Sequence, residues 1–154
     1  MRKKIVLRII IVILIVIWML LVFCLSNQNG KQSSGLSKKV AGFFTSDNDK
    51  IEIIEPYIRK IAHLSEYTIG GCLFVSLMLT YSFSDRKRLI LSFCIGVEYA
   101  MLDEIHQLFI SERAGQIIDV FIDSIGVALG ICIAMLFYKI VLLCFSRRDG
   151  EKNH

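Results

Sequence analysis

The sequence has no Cys-x-x-Cys pair, and its five cysteines, Cys24, Cys72, Cys94, Cys132 and Cys144, all fall inside apolar blocks. An odd count in such settings does not indicate a disulfide framework or a zinc ribbon and reads as small packing residues in lipid or between helices. There is no His-Glu-x-x-His zinc motif, and no two histidines stand one helical turn apart. No serine or cysteine lies beside a paired base that would mark a nucleophile. No metal or other cofactor is expected. The net charge is only +4, and the basic residues sit in short clusters beside apolar blocks, so nucleic acid is not an expected partner. Phe23, Cys24, Leu25 and Ser26 offer no small-residue cleavage site, and the first apolar block is longer than a signal-peptide core. It is therefore read as a retained helix.

What the chain does have is hydrophobic residues, 55% of its 154, gathered into long blocks. One membrane span needs about 20 mostly apolar residues. Four blocks qualify, at about 5–25, 56–81, 89–110 and 116–145. The expectation is an all-α integral membrane protein, one domain over 1–154, folded as a four-transmembrane-helix bundle. Residues 26–55 form its one longer extracytoplasmic loop. Pro56 fits the first turn of the second span, where its missing N–H would be unbonded anyway. Within the loop, Leu36, Val40, Phe43 and Phe44 share a helical face opposite Lys38 and Lys39, a pattern suited to the interface plane. Ile51, Ile53 and Ile54 fit the same description.

Lysine and arginine in short flanks set orientation. Arg2, Lys3 and Lys4, the loop of Arg86, Lys87 and Arg88, and the tail of Arg147 and Arg148 share one side of a four-span chain. That side is expected to be cytoplasmic, with both termini there. The 26–55 loop, although it holds several lysines, and the loop of Arg113 then face outward.

This topology places Lys60, His63 and Glu66 of the second span, Asp103, Glu104, His106 and Gln107 of the third, and Asp119 and Asp123 of the fourth at one depth. An ionisable group in a span costs about 2.5–3.5 kcal/mol on the insertion scale, so these groups are expected to face a wet cavity or one another. At about 100° per residue, Lys60, His63 and Tyr67 fall within a third of a turn, with Glu66 at the edge. Asp103, Glu104 and Gln107 share a face, whereas Glu98 points elsewhere. Asp119, Asp123, Gly126 and Gly130 form one stripe, and the glycine spacing admits a neighbouring helix. Plainer readings stand beside these. Lys60 also suits a side chain snorkelling to the interface. His63 and His106 suit hydrogen-bonded packing, Arg113 could pair with Asp119, and the whole cluster could be an interhelical lock.

The string Asp103, Glu104, Ile105, His106, Gln107, Leu108, Phe109, Ile110, followed by Arg113, Asp119, Val120, Asp123 and Gly126, resembles the VanZ-like family. So do Lys60, His63, Glu66 and Tyr67 upstream, and Ser26 with Gln28 after the first span. The resemblance covers nearly the whole chain. It implies a bacterial envelope protein, and the family is named for a member linked to low-level teicoplanin resistance. Glu104, Gln107, Arg113, Asp119 and Gly126 match the core of the family motif. Glu112 departs from it, because a glycine often precedes that arginine.

Three functions are weighed. The first is a non-enzymatic protein of the cell membrane that binds membrane lipids, a lipid-linked cell-wall precursor or a lipoglycopeptide at an outward polar pocket, affecting glycopeptide susceptibility. Lys60, His63, Glu66, Tyr67, Asp103, Glu104, Gln107, Arg113, Asp119 and Asp123 would form that pocket, with the two cations on phosphate or carboxylate. The alternative is an intramembrane enzyme that modifies a lipid headgroup or precursor. His63 or His106 would be its base, and Glu66, Glu104, Asp119 and Asp123 its acids or metal ligands. A transporter ranks lowest, because the inner halves of all four spans are apolar.

Overall fold

The computed structural model describes residues 2–28, 30–111 and 115–151, which form five α-helices and no strand. They are α1 (Arg2–Ser26), α2 (Gly30–Gly42), α3 (Asn48–Leu79), α4 (Asp85–Gln107) and α5 (Ile117–Glu151). Three of them, α1, α3 and α5, are long and apolar enough to cross a membrane. At 23 residues α4 is of similar length, but it carries Asp85, Arg86, Lys87, Arg88, Glu98, Asp103 and Glu104 and is not among the three.

α1 is apolar on every side, as expected of a helix with no water-facing surface. Only one seam is buried: Ile11, Ile15, Trp18, Val22 and Ser26, at steps of three and four residues. The remaining isoleucines, leucines and valines point outward, where lipid would lie. Trp18 is the hub of the core. Its ring meets Tyr67 and Phe74 edge-on, at centroid distances of 5.8 and 5.6 Å, and lies 5.2 Å from Tyr99. Its Nε1–H donates to the Glu66 carbonyl at 2.9 Å, and the Tyr99 hydroxyl donates to the Met19 carbonyl at 2.7 Å. These bonds satisfy polar tips that burial would otherwise leave unpaired. At the far end of the same helix, Arg8 donates to the Thr80 hydroxyl and carbonyl at 3.0 and 2.8 Å and lies over the Tyr81 ring.

The helix that carries the second span does not begin at Pro56. The helix starts eight residues earlier, where Asp47 is the N-cap and its side chain accepts from the Asp49 N–H. An aspartate cap with an acidic first turn outcompetes the proline as a start signal. Pro56 sits inside α3 and cannot donate to the Glu52 carbonyl. Both residues lie on the exposed side, where solvent can satisfy that carbonyl.

The 26–55 segment is likewise mostly helix rather than loop. Its α2 buries Ser33, Ser37 and Ala41, a small-residue face at four-residue steps, against the bundle. Leu36 and Val40 are exposed, as are Phe43 and Phe44 just past the helix end. Ile51, Ile53 and Ile54 belong to α3 rather than to a separate stretch.

α3 and α5 make the most extensive helix contact, and glycines allow it. An added Cβ on Gly130 would strike the Thr68 carbonyl, one on Gly126 the Leu64 carbonyl, and one on Gly71 the Val127 carbonyl. The Gly126 and Gly130 stripe therefore does bring a helix backbone into contact, as small residues do between membrane helices. Cys72 donates its thiol to the Gly130 carbonyl at 3.1 Å, while Cys24, Cys94, Cys132 and Cys144 are exposed.

Candidate functional site

Three helices converge their polar side chains near one end of the bundle. α3 presents His63, Glu66 and Tyr67; α4 presents Asp103, Glu104 and Gln107; α5 presents Asp119 and Asp123. Tyr67 and Asp123 are 0% exposed, and Asp103, Glu104 and Gln107 are buried as well. Their spacing explains the convergence, because each set repeats at three or four residues and so occupies one face of its helix.

His63 Nδ1 stands 3.5 Å from Asp123 Oδ1, at the outer limit of a hydrogen bond. Both Asp123 oxygens, His63 Nδ1 and the Tyr67 hydroxyl are buried with no hydrogen-bond partner among the described residues. Taking a carboxylate out of water costs several kcal/mol unless it is paired and hydrogen-bonded. The pair is therefore a point of electrostatic cost in the bundle. Asp103 is better served, since its Oδ2 accepts from Gln107 Nε2 at 3.2 Å. Glu104 ties α4 to the start of α5, because its Oε2 accepts from the Gln116 N–H at 2.8 Å. That bond places a negative charge at the N-terminus of α5, a favourable position for the helix dipole. Its Oε1 is buried without a hydrogen-bond partner among the described residues.

Other sequence-derived candidates part from this group. Lys60 is exposed. His106 stacks on Phe23 of α1 at 4.7 Å rather than meeting the carboxylates. Glu98 is exposed, in keeping with its position off the polar face. Arg113 and Glu112 lie outside the described residues, as does any pairing of Arg113 with Asp119.

A cavity of about 60 Å³ opens beside the cluster, between α1, α2, α3 and α4. Its polar lining includes Ser26, Ser33, Ser37, Arg59, His63, Glu66 and Asp103. The lining departs from the sequence expectation in its cation, which is Arg59 rather than Lys60. Arg59 precedes His63 by one helical turn, and that four-residue step was a usable signal. Ser33 and Ser37 were likewise signalled by their own four-residue spacing, which the more conspicuous Leu36 and Val40 face obscured. Among the described residues, no three His, Cys, Asp or Glu side chains come together as a set that could hold a metal ion.

Chemically, the arrangement offers a histidine against a buried carboxylate, an open cavity with acids on its walls, and a guanidinium at one edge. It can hold a polar group, orient it and exchange a proton with it. No curated protein and no solved structure matches this chain. A model of the VanZ/LLP1 family matches residues 11–138, a stretch that takes in the buried seam of α1, all of α2, α3 and α4, and the Asp119 to Gly130 stripe of α5. With most of its length so matched, the chain belongs to the VanZ/LLP1 family.

Proposed function

We propose that this protein is a four-span component of the bacterial cell membrane that binds an amphipathic ligand at a polar cavity facing outward. Membrane lipids and lipid-linked cell-wall precursors are the natural ligands of such a site, and a lipoglycopeptide of the teicoplanin type is a further one. Holding either the drug or its precursor target would alter glycopeptide susceptibility. The observation that carries this reading is the placement of half-buried His63 and buried Asp123, incompletely paired, beside a cavity lined by Arg59, Glu66 and Asp103. An ionisable group inside a membrane segment is a functional-site hypothesis by default.

Burial of Asp103 and Glu104 supports α4 as a span beside the other three, because it leaves Glu98 as the one acid exposed along the apolar part of that helix. With four spans, the basic flanks favour cytoplasmic termini and a cavity near the outer headgroups.

The test is untargeted lipid and precursor profiling of what co-purifies with the full chain. The wild type is expected to retain an amphiphile that His63→Ala and Asp123→Asn lose. Identical profiles for all three would overturn the reading. The His63 and Asp123 pair also supports the enzymatic alternative, with His63 as a base oriented by the carboxylate. Lipid headgroups that change in a deletion strain would favour catalysis, and an unchanged lipidome would favour binding alone.

A further inference from the structure

The cavity does not end at its own walls. Arg59 also lines an adjoining surface groove with Gly30, Lys31, Ser34, Gly35 and Lys38. One guanidinium therefore belongs both to an acid-walled cavity and to a basic groove. In the groove, Lys38 keeps its side chain 46% exposed and is only loosely tied to Glu52, at 3.8 Å. In the cavity, Asp103 and Glu66 are carboxylates, and Ser26 adds a hydroxyl that is buried without a hydrogen-bond partner among the described residues. The order of charge is cationic in the groove and anionic in the cavity. Arg59 lies about 6 Å along α3 from His63, at 1.5 Å per residue.

A ligand that matches this order carries a phosphate followed, after a short spacer, by a group rich in N–H donors. Three observations narrow that group. The cavity measures about 60 Å³, well below the roughly 150 Å³ that accommodates a benzene ring, so a sugar ring does not enter. Carboxylates on the wall favour a cation over a neutral diol, because hydrogen bonds between opposite charges are roughly twice as strong. Among the described residues the lining has no Trp, Tyr or Phe, whereas quaternary ammonium groups are recognised by aromatic cages.

We infer that cavity and groove form one headgroup site for an aminoethyl phosphodiester, the headgroup of phosphatidylethanolamine. The phosphate lies on Arg59 and Lys38, and the primary ammonium lies against Asp103 and Ser26. This rests on the binding role proposed above and names its ligand class.

Native mass spectrometry of the purified full chain tests it, with phosphatidylethanolamine, phosphatidylglycerol and phosphatidylcholine of identical acyl chains added in turn. Phosphatidylethanolamine is expected to be retained several-fold over both others. Asp103→Asn and Ser26→Ala should each bring its retention down to the phosphatidylglycerol level, and Arg59→Ala should weaken retention of all three. Using two cavity variants guards against one that fails to fold. Soluble O-phosphoethanolamine separates the sources of recognition. If it displaces the lipid, the headgroup suffices; if the preference stands without displacement, headgroup and acyl chains act together. Equal retention of the three lipids, with Arg59→Ala still weakening all, would overturn this inference and leave the binding role standing. No retained lipid of any class would overturn both.

Discussion

His63 on α3 and Asp123 on α5 face each other at 3.5 Å across the helix contact, with the carboxylate fully buried. Breaking a buried pair by removing one partner leaves the other uncompensated, at a cost of about 3–5 kcal/mol. His63→Ala is expected to lose stability by less than that range, because the imidazole is neutral unless protonated and the contact is a long one at 3.5 Å. The double variant His63→Ala/Asp123→Ala should lose less than the sum of the two single changes. Denaturant unfolding in detergent measures the cycle, and strict additivity would show that the two groups do not interact.

The α3 and α5 backbones approach where Gly130 faces the Thr68 carbonyl, leaving no space for a side chain. Gly130→Ala should cost about 1–3 kcal/mol through overpacking. Gly42→Ala has nothing within 4 Å of its Cβ and should be neutral or mildly stabilising, since glycine within a helix is worth about 0.5–1 kcal/mol less than alanine. Comparing melting curves of the two variants checks the contrast.

Trp18 is the sole tryptophan and joins α1 to α3 and α4 through ring contacts and one hydrogen bond. Trp18→Ala is expected to cost about 3–5 kcal/mol. Trp18→Phe should cost less, because it loses mainly the bond to the Glu66 carbonyl. Loss of helical circular dichroism on heating gives the order, which should run wild type, Phe, Ala.

Arg8 grips Thr80 through two of its nitrogens and covers the Tyr81 ring. Lysine cannot reproduce a forked, stacked contact, so Arg8→Lys should lower stability by about 1 kcal/mol despite keeping the charge. A chemical unfolding midpoint equal to that of the wild type would contradict the contact.

The proposed topology of four spans with cytoplasmic termini makes a labelling prediction. In a background with the native cysteines replaced, Phe43→Cys should react with a membrane-impermeant thiol reagent on intact cells. Lys87→Cys should react only after permeabilisation. The reverse pattern would turn the cavity toward the cytoplasm.

Much of this fold was legible in the chain because lipid is an unforgiving solvent. Backbone groups must be bonded within the segment, so long apolar blocks become helices. The common depth of His63, Asp103, Glu104 and Asp123 followed from counting residues along those blocks. The Gly126 and Gly130 spacing announced a close helix partner without naming it. Pro56 misled because a local preference for the first turn competes with a cap nine residues upstream, and only the folded chain decides which prevails.

Periodicity within single helices was enough to establish the helical character of the protein and the faces on which its carboxylates sit, and its motif residues pointed to its family. Packing between helices settled the rest: α3 meets α5 along the glycines, α2 turns Ser33 and Ser37 inward, and Arg59 rather than Lys60 reaches the cavity. The rotation of a helix about its own axis is fixed by what packs against it, and one residue of difference along α3 is about 100° of direction.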